Sequence, residues 1–316
     1  MTPLVSVIIP TYNRGSLVTQ AIDSVLSQTF TDLEIIVVDD GSKDDTTQRL
    51  GPYVDRIRYF KQANLGASAA QNAGLREARG EWISILASDD TWQPTKLERQ
   101  FDAIEGLGTA FGACFTDCRF VGNSAMVATA FEEAGFIPDE AFGRLDDPLR
   151  FVWESNYGLY VQSMLARRSL VMQAGGFDES LKYSEDRDLI FKLSFRTQFC
   201  YVAESLVNID RTETILRLTN PEGDWDREAF QCNELSLRKM LEFPELKDEK
   251  VRQRIREELL LFFYNRAAQG IRNLDFALMS EAVRRIHCEG QGYLRIWWSL
   301  IVRAARKLLR RVYMKN

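Results

Sequence analysis

One histidine, His287, is all that this chain of 316 residues carries, and that scarcity closes off several chemistries. A histidine metal cluster cannot be built. A Ser-His-Asp triad would have to use a residue that falls late, among predicted helices. Proton transfer and metal ligation therefore fall to carboxylates. Cysteine is scattered too: Cys114, Cys118, Cys200, Cys232 and Cys288 are odd in number and never in C-x-x-C spacing, so neither a disulfide framework nor a zinc site is indicated. Reduced thiols in a cytoplasmic protein are the reading that follows. Long apolar runs are missing as well. The apolar stretch at 296–302 falls far short of the roughly 20 residues that a spanning helix needs. Met1-Thr2-Pro3 runs straight into a strand, without the charged segment that opens a secretory signal.

What is present is an ordinary globular composition, 45% apolar and 27% charged, at a length of one large domain or one domain with an appendage. The first half alternates strand and helix. Val5–Ile9 is a β-branched run closed by Pro10, and Leu17, Val18, Ala21, Ile22 and Val25 then recur at helical spacing. Strands are predicted again at Leu33–Val38, Ile57–Phe60 and Trp82–Ala87, with a helix over Ala67–Ala78 between the last two. Repeated units of this kind imply a doubly wound α/β sheet. Further strands are predicted over Ala110–Phe120 and near Leu159–Ala166, with loop signals over 121–150. Glu185-Asp186 opens an amphipathic helix to about Arg196. Past Asn208 the periodicity turns helical, which places a boundary near 215–225.

Two of the early strands end in paired acids, Asp39-Asp40 and Asp89-Asp90. Ligands of open α/β sheets bind outside the carboxyl ends of the strands, so both pairs fall on the edge where a nucleotide belongs. Adjacent carboxylates repel unless a cation or a set of donors holds them. Hard oxygen ligands suit Mg²⁺ or Mn²⁺, which one or two carboxylates and substrate phosphates commonly hold together. The competing reading of Asp90-Thr91-Trp92-Gln93-Pro94 is the capped start of a helix. Asp39-Asp40-Gly41-Ser42 likewise suits an Asx-type turn, with Asp39 as the structural member.

Taken in order, these pieces resemble the family 2 glycosyltransferases with the GT-A fold. The resemblance runs from Val5 to about Arg217. It rests on Val5–Arg14, Ile22-x-Ser24-Val25-Leu26-x-Gln28-Thr29, Val38-Asp39-Asp40-Gly41-Ser42, Asn64-x-Gly66, Asn72-Ala73-Gly74, Ser88-Asp89-Asp90, Gly176–Leu181 and Ser184-Glu185-Asp186. It implies a Rossmann-like mixed sheet over 1–217, followed by a helical region over 218–316. It also implies a nucleotide-sugar donor, held by Pro10, Thr11, Tyr12, Arg14, Asp40, Asn64, Gly66, Asn72, Ser88 and Asp89. Tyr12 would pack on a uracil ring and Asp40 would accept its N3–H, which favours a UDP-sugar. Asp90 would hold Mn²⁺ or Mg²⁺, with Asp89 on the ribose or behind the metal. Asp186 would be the general base of an inverting transfer to a hydroxyl of a glycan or lipid-linked glycan. Asp188 and Asp178 are the next candidates for that role, and helix capping is the structural alternative for Glu185-Asp186.

Three positions depart from the family pattern. Ala87 stands where the metal motif commonly starts with Asp, Gln71 where Arg is frequent, and Glu213 where a histidine can join the metal. Glu213 is a hard oxygen donor and so a candidate second ligand. The rival readings are a polyprenyl-phosphate sugar synthase of the same fold, which would not need Asp186, and a non-catalytic nucleotide- or sugar-binding module.

Charge is unevenly spread. Residues 292–316 hold Arg295, Arg303, Arg306, Lys307, Arg310, Arg311 and Lys315 without one acid, while the whole chain is at −5, leaving −12 elsewhere. Trp297, Ile301, Ala304, Ala305, Leu308, Leu309 and Val312 fall on one face of a predicted helix over 293–313. That is the profile of an in-plane helix at the cytoplasmic face of the membrane; a packing helix or an oligomer contact is the alternative. An acidic body makes nucleic acid an unsuitable partner. The expected location is cytoplasmic, peripheral at the inner face of the cell membrane.

Overall fold

The computed structural model describes residues 2–122, 129–149, 151, 158–212, 227–272, 280–282 and 284–285. The chain divides into two compact units, one of 1–221 with 225–240, the other of 222–224 with 241–316. The first therefore runs past 217 and takes in most of a helix from the C-terminal region.

The first unit is built on one mixed sheet. Its strands are β1 (Val5–Thr11), β2 (Leu33–Asp39), β3 (Arg58–Lys61), β4 (Trp82–Ile85), β5 (Thr91–Trp92), β6 (Phe111–Val121), β7 (Phe142–Leu145), β8 (Leu165–Arg167) and β9 (Gln198–Asp210). They lie in the order β3-β2-β1-β4-β8-β6-β9-β5, with β7 also on β9. β1, β2, β3 and β4 pair in parallel, with Val7 opposite Ile35 and Ser84. Val5, Val7, Ile8, Ile9, Ile35, Ile36 and Val37 are buried, as expected for central strands covered on both faces. Helices α1 (Gly15–Leu26) and α3 (Ala67–Glu77) make the crossovers; a single turn, α2 (Thr46–Arg49), precedes β3. The half beyond β4 is mixed: β8 runs antiparallel to β4 and β6, whereas β9 runs parallel to β6.

The structure differs from the sequence reading at several points: β5 was not expected, and β7 lies within the 121–150 stretch read as loop. Near Leu159–Ala166 a 3₁₀ turn (Val161–Ser163) precedes the short β8, where one strand was expected. The 13-residue β9 is a central strand that no motif announced. Its Glu204 and Ser205 interrupt the apolar run where the register against β6 shifts. Helix α4 (Lys96–Leu107) follows β5. Then come α5 (Ala130–Glu133), α6 (Arg168–Gln173), α7 (Glu185–Ser194) and α8 (Arg227–Glu242). The second unit contributes α9 (Glu249–Arg272). Glu213 and the predicted helix over 293–313 lie outside the described residues. No helix among those described is long and apolar enough to cross a membrane.

Candidate active site

The parallel strands deliver their ends to one edge, and the turns there interlock. Asp39, fully buried, accepts the Ser42 N–H at 2.7 Å and the Tyr59 hydroxyl at 2.8 Å, with Lys61 Nζ at 3.2 Å. This is the Asx-type turn expected of Asp39. Burial alone would raise its pKa; the bonds from Ser42, Tyr59 and Lys61 outweigh it and leave the carboxylate below its usual range. Ser42 Oγ in turn accepts the Asn13 N–H at 2.9 Å, and Asn13 Oδ1 accepts the Lys43 N–H at 2.8 Å. Asn13 sits at φ 51°, a conformation that asparagine tolerates better than most residues. The turn after β1 is thereby stitched to the turn after β2, with Tyr12 39% exposed at the rim. Pro10 is half-buried. Thr11 is buried, and its hydroxyl has no partner among the described residues.

Asp40 faces the start of α3. Its carboxylate accepts Gln62 Nε2 (2.8 Å), the Leu65 N–H (2.9 Å) and the Gly66 N–H (2.8 Å). The turn carrying Asn64, which is exposed, and Gly66 is therefore folded onto Asp40. Three donors thereby fix this carboxylate in place. Asn72, expected at the nucleotide, turns its amide to a backbone partner: Nδ2 donates to the Phe177 carbonyl at 2.8 Å, and Oδ1 accepts the Phe177 N–H at 2.9 Å. Its amide is spent on the loop before α7.

Beyond β4, Leu86 continues to bond to β1, its N–H reaching the Ile8 carbonyl at 2.9 Å, before the chain turns through the buried Ser88 into Asp89 and Asp90. Arg14 forms an ion pair with Asp89. Asp90 is 3% exposed and accepts the Asp210 N–H at 3.0 Å from the end of β9, together with the Gln162 side chain. Burial first, and the Asp89 charge second, push its pKa well above the usual carboxylate range. Sequence reasoning missed Gln162 and the Asp210 amide. Both are joined to Asp90 by tertiary pairing, which no local motif records. A buried carboxyl beside a second acid suits a hard divalent cation. Among the described residues no three acidic, histidine or cysteine side chains gather as a cation site. The residues present fit a cation held by Asp90 with diphosphate oxygens as the other ligands.

The last element is α7. Glu185, Asp186 and Asp188 fill its first turn, where the helix dipole favours negative charge. Asp188 is buried against Lys192 Nζ at 2.5 Å, and Asp178 is ion-paired with Lys239. Asp186 accepts the Arg187 N–H at 2.7 Å, and burial raises its pKa. Its charge also reaches Tyr160, which donates a hydrogen bond to Glu133 at 3.4 Å and accepts one from Arg211 at 2.9 Å. Ser184 makes no capping bond to α7.

Comparison with known proteins accords with this arrangement. Residues 6–162 match the family described as Glycosyl transferase family 2. An uncharacterized glycosyltransferase of Rickettsia prowazekii (strain Madrid E) is 35% identical over 202 residues, 63% of this chain and 61% of that protein. The succinoglycan biosynthesis protein ExoO of Rhizobium meliloti (strain 1021) is 32% identical over 193 residues, 60% and 55% of the two chains. This chain thus spans less than two thirds of either relative. Among solved structures, S. aureus TarS 1-349 in complex with UDP-GlcNAc superposes with a TM-score of 0.68 at 19% identity, covering 88% of this chain and 79% of that one. The mannosyltransferase PcManGT of Pyrobaculum calidifontis, in complex with GDP-Man and Mn²⁺, gives 0.55 at 16% identity, covering 100% and 89%. Those two likenesses carry the GT-A fold. With the sequence match and the ordered turns at one sheet edge, they lead to one assignment: residues 6–162 of this chain form a glycosyl transferase family 2 domain.

Proposed function

We propose that this chain is an inverting glycosyltransferase that moves a sugar from a UDP-sugar to a hydroxyl of a glycan or lipid-linked glycan. The observation that carries it is the state of the three acids ahead of and within α7. Lys239 and Lys192 pair with Asp178 and Asp188, whereas Asp186, in the first turn of α7, accepts the Arg187 N–H; burial raises the pKa of Asp186, as it does those of Asp188 and of Glu185. A carboxylate made more basic in this way is suited to take the acceptor proton. Asp40 and the turn at 64–66 would hold the base, with Tyr12 on its face. Arg14 would keep Asp89 turned toward the ribose. Asp90 would hold Mn²⁺ or Mg²⁺, which when bound neutralises charge on the leaving diphosphate. One base and one displacement invert the anomeric centre. A UDP-GlcNAc complex of TarS and a Mn²⁺ complex of PcManGT support the donor class and the ion. The naming of ExoO for succinoglycan biosynthesis supports a glycan acceptor. The cationic segment 292–316 supports a place at the inner membrane surface.

The test is hydrolysis or transfer across a panel of UDP-, dTDP- and GDP-sugars with Mn²⁺. One UDP-sugar should turn over fastest, and Asp186→Asn should lower turnover by roughly 10²–10⁴-fold with donor affinity retained. Asp90→Ala should abolish the Mn²⁺ dependence of UDP binding. Turnover near the wild-type rate in Asp186→Asn places the base elsewhere and overturns the mechanism. A panel with no turnover overturns the activity itself.

A further inference from the structure

Asp186 lies two residues after Ser184, which adopts φ 66° and ψ 20°, left-handed for a residue with a side chain. Such a conformation is costly and persists only where its surroundings impose it. The direction in which α7 starts, and hence the place of Asp186, depends on what holds the loop at 177–184.

Two helices grip that loop from different parts of the sequence. From α3, Ser68 Oγ donates to the Leu181 carbonyl at 3.0 Å, and Asn72 brackets the Phe177 backbone as described. From α8, three residues reach it. Glu228 pairs with Lys182 at 2.6 Å. Asn233 Oδ1 accepts the Ser184 hydroxyl at 2.8 Å. Lys239 Nζ donates to Ser180 Oγ at 2.7 Å and to Asp178. Asp178 is the joint of this last contact: one oxygen accepts the Ser180 N–H at 3.0 Å and its hydroxyl at 2.6 Å, and the other faces Lys239. Ser184 is an ordinary capping residue type, yet its hydroxyl is turned away from the first turn of α7 and onto Asn233, which is itself 6% exposed and braced on Ala229 at 2.9 Å. The capping bond is given up to a helix some fifty positions further along the chain.

We propose that α8 is the outer brace of the general-base loop, and that Lys239 and Asn233 are positioning residues for Asp186. The inference rests on the reading of Asp186 as the base. Neither residue would touch donor or acceptor; each acts through Asp178, Ser180 or Ser184. Removing the brace leaves the nucleotide turns, Asp40 and Asp90 as they are. It lets the first turn of α7 sample other directions, and small displacements of a catalytic group are costly in rate.

Two readings on the full chain test this, hydrogen exchange without ligand and hydrolysis of the fastest UDP-sugar of the panel with Mn²⁺. In Lys239→Met, amides over 178–188 should exchange at least about tenfold faster while those of β1 to β4 keep their protection. The kcat should fall roughly 10- to 100-fold with the donor KM unchanged, and Lys239→Arg should restore both readings. Asn233→Leu, which keeps the branched shape and removes the acceptor, should behave like Lys239→Met and decides the matter if that variant does not fold. Unchanged exchange over 178–188, or faster exchange with an unchanged kcat, overturns the inference. Should Asp186→Asn keep its turnover while the loop still loosens, the assignment of the base fails and the brace stands.

Discussion

Lys96 has no exposed surface, an unusual place for an ammonium group. It opens α4 and points into the sheet, with Nζ 2.9 Å from Gln100 Oε1, 3.2 Å from Ser84 Oγ and 4.0 Å from the centre of the Trp92 ring. Burial pushes its pKa down to about 7. An unfolded lysine keeps its proton to about pH 10.4, so the unfolded chain binds more protons than the folded one between those values. Stability therefore rises with pH across that window through this residue, and the cost of burying the charge is fullest below pH 7. Relative to Lys96→Met, wild-type stability should rise by up to about 1.4 kcal/mol per pH unit between pH 7 and 10. Urea titrations of both proteins at several pH values measure it; parallel pH profiles would show that Lys96 keeps its charge in the fold. The residue also bears on the site. The Trp92 ring it contacts donates from Nε1 to the Gln162 carbonyl at 3.1 Å, and the side chain of Gln162 bonds Asp90.

At the scale of elements, the joint between β2 and the start of α3 governs the nucleotide turns. Gly41 has φ 82°, and a Cβ there would stand 2.9 Å from the Asn64 nitrogen and 3.2 Å from the Gln62 carbonyl oxygen. Gly41→Ala therefore meets both a disfavoured backbone and main chain that cannot step aside. We expect a loss of roughly 1–3 kcal/mol in urea unfolding, together with weaker UDP binding because the donors on Asp40 shift. Unchanged affinity with lowered stability would separate the turn from the nucleotide. This joint was legible in the sequence: paired acids, glycine and serine after a buried strand specify a turn by local chemistry. So was the acidic first turn of α7. The role of Asn72 was not legible, because its partner Phe177 lies 105 positions away and an asparagine can serve a ligand or a backbone equally well. β9 escaped for a related reason. Its burial comes from β6 and β7 on either side, and its polar interruptions hide the period that would mark it as a strand.

For the molecule as a whole, charge is the property that local structure does not use up. Seven cations in 292–316 stand against −12 over the rest of the chain, and none of the proposed site residues lies in that segment. Basic residues near an anionic surface contribute on the order of 1 kcal/mol each, within a screening length of about 10 Å at 0.1 M salt. A chain with a net negative body would be repelled by such a surface unless its cations are concentrated, as they are here. Deleting 292–316 should therefore leave hydrolysis of the UDP-sugar near the wild-type rate and abolish co-sedimentation with vesicles rich in anionic lipid. For the full chain, binding should weaken steeply as salt rises, since the attraction of these cations to the headgroups is screened. Two outcomes remove the membrane reading: full-length protein that stays in the supernatant at low salt, or a truncation that unfolds the enzyme and so assigns the segment to packing.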